Sequence, residues 1–182
     1  GKWTYKTYSL NKADKGLHNI EGELECVDYT GDLEIYKHGF VKVSENKRYF
    51  VYDDGTPFYY LGDTHWLMLR EPFEESNIEG IDSTFKFIVD YRLTQGFTVY
   101  QSEPIGGDCE NGIHEEELKK LRDFDRKFKY IADKGLLHVN AQLFFAAAIK
   151  NPKYTPEYLV KLSKMWAARY GAYPVMWTVA QE

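Results

Sequence analysis

The chain has 182 residues, 43% hydrophobic and 28% charged, which gives it enough apolar side chain for a packed core and excludes a disordered segment. A formal net charge of -5 argues against a nucleic-acid or anionic-membrane partner, which would call for a basic patch, and no run of about 18 apolar residues offers a membrane span. Two cysteines, Cys26 and Cys109, show no zinc-ligand spacing, and no cofactor is expected.

Gly1 stands where a processed end would, compatible with an export signal already removed, so a periplasmic or extracellular location is expected. Aromatic residues are abundant, with 15 Tyr, 11 Phe and 4 Trp. Such rings first serve core burial, and only then stacking on sugar faces.

Residues 1–43 read as short strands separated by turns. Trp3, Tyr5 and Tyr8 are spaced for extended structure, and Leu24 and Cys26 alternate with Glu23 and Glu25. The segment is too short to bury a core alone, so it is expected to be part of a β-sandwich or an arm on the next domain. The second domain is expected over 44–182. Arg48 to Tyr52 reads as a strand, Asp53-Asp54-Gly55 as a hairpin turn, and Pro57 to Gly62 as an apolar run ending at Asp63-Thr64-His65-Trp66.

A repeating unit follows. Phe85, Ile88, Val89, Arg92 and Leu93 share a helical face, Gly96 ends it, and Phe97 to Tyr100 is a strand. Leu118, Leu121, Phe124, Phe128 and Ile131 form a second stripe, ended by Gly135 and followed by a strand from Leu136 to Val139. Tyr158, Leu159, Leu162, Met165, Trp166 and Arg169 form a third, with Thr155 as cap, Pro156 at the first helical position, Gly171 as stop and a strand from Val175 to Val179. Lys119-Lys120 and Arg126-Lys127 read as outer helix faces.

Strands alternating with helices imply parallel pairing by right-handed crossovers. A doubly wound dinucleotide binder needs a glycine-rich phosphate loop after its first strand, and Gly62-Asp63-Thr64-His65-Trp66 is not one. Polar and aromatic groups instead gather at the carboxyl ends of the strands: Asp63, His65 and Trp66, then Gln101 and Glu103, then Gln142, then Gln181 and Glu182. That is where (β/α)8 barrels place their chemistry. The expected fold is therefore α/β, the first half of such a barrel, needing a C-terminal half to complete it.

Glu182 is the candidate general acid. A carboxylate at a barrel rim beside indoles is poorly solvated and holds its proton more tightly, as protonation of a glycosidic oxygen requires. Asp63, His65, Trp66, Gln101, Glu103 and Gln181 are the candidate substrate-binding residues, with Trp66 as a stacking face. Asp63 and His65 could alternatively converge on a metal ion. Asp108, Glu110 and Glu115 to Glu117 read as a solvated surface and helix N-terminus, and His18, His38 and His114 as structural.

The stretches His38 to Val43, Tyr52 to Phe58 and Leu61-Gly62-Asp63-Thr64-His65-Trp66, with Gln95 to Gln101, resemble the apiosidase-like, cellulase-type barrels of the retaining glycoside hydrolase clan. The resemblance implies a retaining mechanism with two carboxylates about 5–5.5 Å apart. It implies that the acid/base follows the fourth strand, matching Glu182, and that the nucleophile follows the seventh. Where the clan has asparagine before that glutamate, this chain has Gln181. The expectation is a hydrolase of plant or microbial polysaccharide, itself inactive as this segment. A non-catalytic sugar-binding barrel and a metal-dependent hydrolase are the alternatives.

Overall fold

The computed structural model describes residues 1–66, 68, 71–102, 115–140, 152 and 155–178. Two compact units divide between Asp32 and Leu33. In the first, strand β1 (Lys2–Lys6) pairs antiparallel with β2 (Glu21–Glu25), setting Trp3 opposite Leu24 and Lys6 opposite Glu21. This is the alternation read from the sequence, with charged pairs on one face and Trp3, Tyr5 and Leu24 on the other.

The second unit opens with a short helix α1 (Glu34–Lys37) and a three-stranded antiparallel meander, β3 (Lys42–Val43), β4 (Phe50–Val51) and β5 (Pro57–Phe58). Residues 33–43, grouped with the N-terminal segment by sequence pattern, pack within this second unit: Ile35, Tyr36 and Val41 join the cluster of Tyr52, Phe58, Val99, Leu137 and Val139. The predicted turn forms, with Gly55 at φ +91° and its N–H donating to the Tyr52 carbonyl at 3.0 Å.

His38 ties this turn to α1. Its Nδ1 lies 2.6 Å from Asp54 Oδ2 and its Nε2 lies 2.9 Å from Glu34 Oε2. These bonds, the one to Asp54 first, raise the His38 pKa above its ordinary value. The Asp54 carboxyl is held down to about 2, first by the Thr56 backbone N–H and then by His38.

The parallel unit follows as β6 (Gly62–His65), α2 (Thr84–Thr94), β7 (Val99–Ser102), α3 (Glu115–Asp133), β8 (Leu137–Asn140), α4 (Pro156–Tyr170) and β9 (Val175–Trp177). Among the described residues the sheet order is β6-β7-β8-β9, every neighbour parallel. Ser83 caps α2 and Thr155 caps α4, each side chain accepting a bond from a first-turn N–H, with Pro156 where its missing N–H costs nothing. Gly96 and Gly135 take φ of +80° and +78°, open only to glycine without strain. Gly171 differs. Its φ is -67°, and glycine is needed there because a Cβ would lie 2.4 Å from the Ala167 carbonyl oxygen.

One boundary departs from expectation. The apolar run from Pro57 is not a single strand preceding Asp63. Pro57 and Phe58 close the meander, and parallel pairing begins only at Gly62, where a Cβ would meet the Val99 Cβ at 2.8 Å. Asp63 and His65 therefore sit inside β6 rather than after it.

Side-chain alternation sorts the sheet into two faces. Val99, Leu137, Val139 and Met176 face the cluster of α1 and the meander, which closes the amino end of the strands. Tyr100 and the flanking Leu136 face Phe85, Val89 and Ile131 from the helices, while Val175 and Trp177 join Phe128, Leu162, Trp166 and Tyr170. Lys127 corrects the sequence reading: it is 0% exposed, enclosed beside Phe85 of α2 and the Met68 carbonyl, not on an outer face.

Candidate active site

Because all four strands run parallel, their carboxyl ends share one rim. His65, Ser102, Asn140 and Trp177 align in a row across the sheet there. One residue back, Thr64, Gln101, Val139 and Met176 form the parallel row on the opposite, inner face, above the apolar floor. Gln101 is thus a half-buried amide aimed to the barrel interior from the second strand. Trp66 follows β6 directly and is 40% exposed, an indole left free for contact.

Asp63 and His65 alternate onto the outer face. The Asp63 carboxylate is ion-paired to Nη2 of Arg92 on α2, whose guanidinium lies 5.0 Å from the Phe97 ring centroid. A carboxylate already neutralised by a guanidinium is a poor metal ligand. Among the described residues no group of three His, Cys, Asp or Glu side chains is placed to hold an ion. His65 has both ring nitrogens engaged, Nδ1 at 2.5 Å from the Tyr100 hydroxyl and Nε2 at 3.1 Å from Glu71 Oε2. The Tyr100 hydroxyl is buried, which pushes its pKa well up, with Glu71 and Asp63 adding to the shift.

A second polar pair lies behind the rim. His138 Nε2 is 2.7 Å from Ser102 Oγ, and both side chains are almost completely buried. Burial pushes the imidazole down to about 3, so it stays neutral at ordinary pH. Although a serine bonded to a histidine has the composition of an activated nucleophile, Ser102 is 1% exposed and out of reach of a substrate carbonyl. The pair instead gives Ser102 Oγ and His138 Nε2 each a partner between the sheet and Phe128, whose ring centroid lies 4.4 Å from that of His138, while His138 Nδ1 has none among the described residues.

Of the predicted residues, the structure brings His65 against Tyr100, the neighbour of Gln101, and leaves Asp63 bonded to a helix. Glu103, Gln142, Gln181 and Glu182 lie outside the described residues, as do Cys109, Asp108, Glu110 and His114. Sequence reading missed Tyr100, Glu71 and Lys127. For Lys127 a signal was present: it stands three residues after Phe124 and four before Ile131, at helical spacing within the apolar stripe. A groove of about 800 Å³ runs between residues 71–75 and α3, outside the sheet, and is lined mainly by charged side chains such as Glu74, Lys119 and Arg126.

Comparison with known proteins supplies the remaining context. Residues 44–182 match the profile of the family described as apiosidase-like, catalytic domain. The fold is similar to the crystal structure of a glycoside hydrolase family 5 protein from Bacteroides vulgatus, with 19% identity and a TM-score of 0.63, covering 80% of this chain and 33% of that one. It is also similar to a structure titled glycoside hydrolase, at 22% identity and a TM-score of 0.62, covering 80% and 34%. The chain therefore spans about a third of the length of these structures. No curated protein sequence matched.

Proposed function

Since the chain belongs to the family of apiosidase-like catalytic domains, a glycoside hydrolase relationship carried on a partial (β/α)8 barrel, we propose that it supplies the acid/base side of a retaining glycosidase acting on plant or microbial polysaccharide. Glu182 is the acid/base. It protonates the glycosidic oxygen as the bond breaks, then removes a proton from the water that releases the sugar. The nucleophile comes from a later strand of the complete barrel. Trp66 offers a stacking face and Gln101 an amide for hydroxyl recognition from the inner face.

The observation that carries this reading is the match over 44–182 together with the common direction of the four strands, whose carboxyl ends share one rim. The test uses the full-length protein on cello-, xylo-, manno-, arabino- and galacto-oligosaccharides. Glu182→Gln should lower kcat by about 10²–10⁴-fold on any substrate cleaved, by removing general acid catalysis. A Glu182→Gln protein with undiminished turnover ends the assignment, and a wild type that cleaves none of the panel ends it for these classes of sugar.

A further inference from the structure

Trp66 sits in a tight turn, closed by the Met68 N–H donating to the His65 carbonyl at 3.3 Å. Both ends of that turn are held. At the first, the His65 ring is caught between the Tyr100 hydroxyl on β7 and Glu71. The two ring nitrogens face opposite neighbours, Nε2 toward Glu71 Oε2 and Nδ1 toward the tyrosine oxygen, so the ring is held from both sides. At the second end, the Met68 side chain is completely buried among Phe73, Phe85, Tyr100 and Ile131. Its carbonyl accepts from Lys127 Nζ at 2.8 Å.

Lys127 is an unusual anchor. Its whole side chain is enclosed, with Nζ 2.7 Å from Asp123 Oδ2 and about equally far from the rings of Phe85 and Phe124 at 5.9 and 5.7 Å. A fully enclosed ammonium destabilises a fold unless each of its protons is used, so a helix surface ordinarily carries lysine facing water. Here it is shared between Asp123 on its own helix and one backbone carbonyl of the turn that carries the exposed indole. His65 has no nitrogen left for a ligand.

We propose that His65, Tyr100, Glu71 and Lys127 are positioning residues that fix the Met68 turn from behind, so that Trp66 is a preorganised stacking platform for a sugar ring of the substrate. This rests on the glycosidase reading above. A platform immobilised before binding adds affinity because less freedom is lost when the sugar docks. The expected loss on removing an anchor is therefore one of binding, felt through Trp66 alone.

Two measurements test it. In the first, amide hydrogen exchange of Trp66, Met68 and Glu71 is followed in wild type, Lys127→Met and Tyr100→Phe. Both variants should exchange about tenfold faster at these amides while the β7 and β8 amides keep their protection. Unchanged exchange overturns the anchoring whatever the substrate is. In the second, the oligosaccharide that the full-length wild type cleaves is the probe. Trp66→Ala and Lys127→Met should each raise KM about tenfold with kcat reduced less than threefold, the sign of lost ground-state binding.

Lys127→Met placed on a Trp66→Ala background should then add almost nothing, since a cycle reads coupling only where one residue acts through the other. Additive effects would mean that Lys127 merely stabilises the fold, and they overturn the proposal. Tyr100→Phe, which keeps the ring, repeats the cycle should Lys127→Met fail to fold. If no glycan is cleaved or bound by wild type, the glycosidase reading fails and the sugar role of Trp66 with it, while the exchange result still decides the anchoring.

Discussion

On one face of the parallel sheet Val99 and Leu137 are sealed by Ile35, Tyr52 and Phe58, whereas on the other the layer beneath the helices holds Tyr100, Ser102, Lys127 and His138, all of them buried. The two faces are made of different materials. The first is apolar inside and its neighbouring charges stay at the surface, in the His38, Glu34 and Asp54 clip. The second takes titratable groups into the interior and gives them polar neighbours, as Ser102 does for His138 Nε2. Apolar packing tolerates pH and contributes stability, whereas enclosed polar groups cost stability and gain fixed geometry. The arrangement therefore concentrates stability on one face and orientation on the other.

Three perturbations would break or sharpen this contrast. The largest effect is expected at the floor. Phe58→Ala empties a site that is 6% exposed in wild type and should cost about 3–5 kcal/mol in urea unfolding. A loss below about 1 kcal/mol would mean that the meander is an ornament rather than the seal of the apolar face.

The second concerns acid. Folding depresses the His138 pKa from 6.5 to about 3, so below 6.5 the unfolded chain binds a proton that the folded chain refuses. Stability should then fall by about 1.4 kcal/mol per pH unit between those values, or about 2 kcal/mol by pH 5. His138→Leu should flatten that slope when urea midpoints are compared across pH, even if the variant is less stable at pH 7. An equal slope in both proteins would place the acid sensitivity elsewhere.

The smallest effect belongs to the exposed clip. Folding raises the His38 pKa, so its ion pairs contribute fully below 6.5 and are lost as pH climbs through the raised value. Asp54 sets the acid limit, its contribution fading as pH falls from 3.8 toward about 2. The melting temperatures of wild type and His38→Ala should differ most between pH 3.8 and 6.5 and draw together as pH climbs through the raised His38 value. The clip and the buried imidazole would then respond to acid in opposite senses over the same range, the clip gaining as the imidazole loses.

The order of helices and strands was legible because it rests on local chemistry: stripes at helical spacing, a cap at Thr155, and glycines at Gly96 and Gly135 where φ turns positive. Parallel pairing followed from that alternation. What could not be read was the phase of β6. The apolar letters of Phe58, Tyr59, Tyr60 and Leu61 look continuous, but Phe58 is buried in the meander while Tyr59 points to solvent, and only the close approach of Gly62 to Val99 sets where the parallel sheet begins. That phase assigns Gln101 to the inner face and Asp63 and His65 to the outer one. The engagement of Asp63 by Arg92 was equally hidden, since 29 positions separate them and only the packing of α2 on the sheet brings them together. Lys127 shows the limit of reading residue type before position: a lysine suggests solvent, while its spacing suggested the core.

The enclosed imidazole has a consequence for how this molecule forms. Near pH 6 a large share of unfolded chains carry a proton on His138, and each must release it to the surrounding buffer before β8 can settle beneath α3. Assembly of this sheet is thus coupled to proton release, and the heat accompanying it contains the ionisation enthalpy of whatever buffer receives the proton.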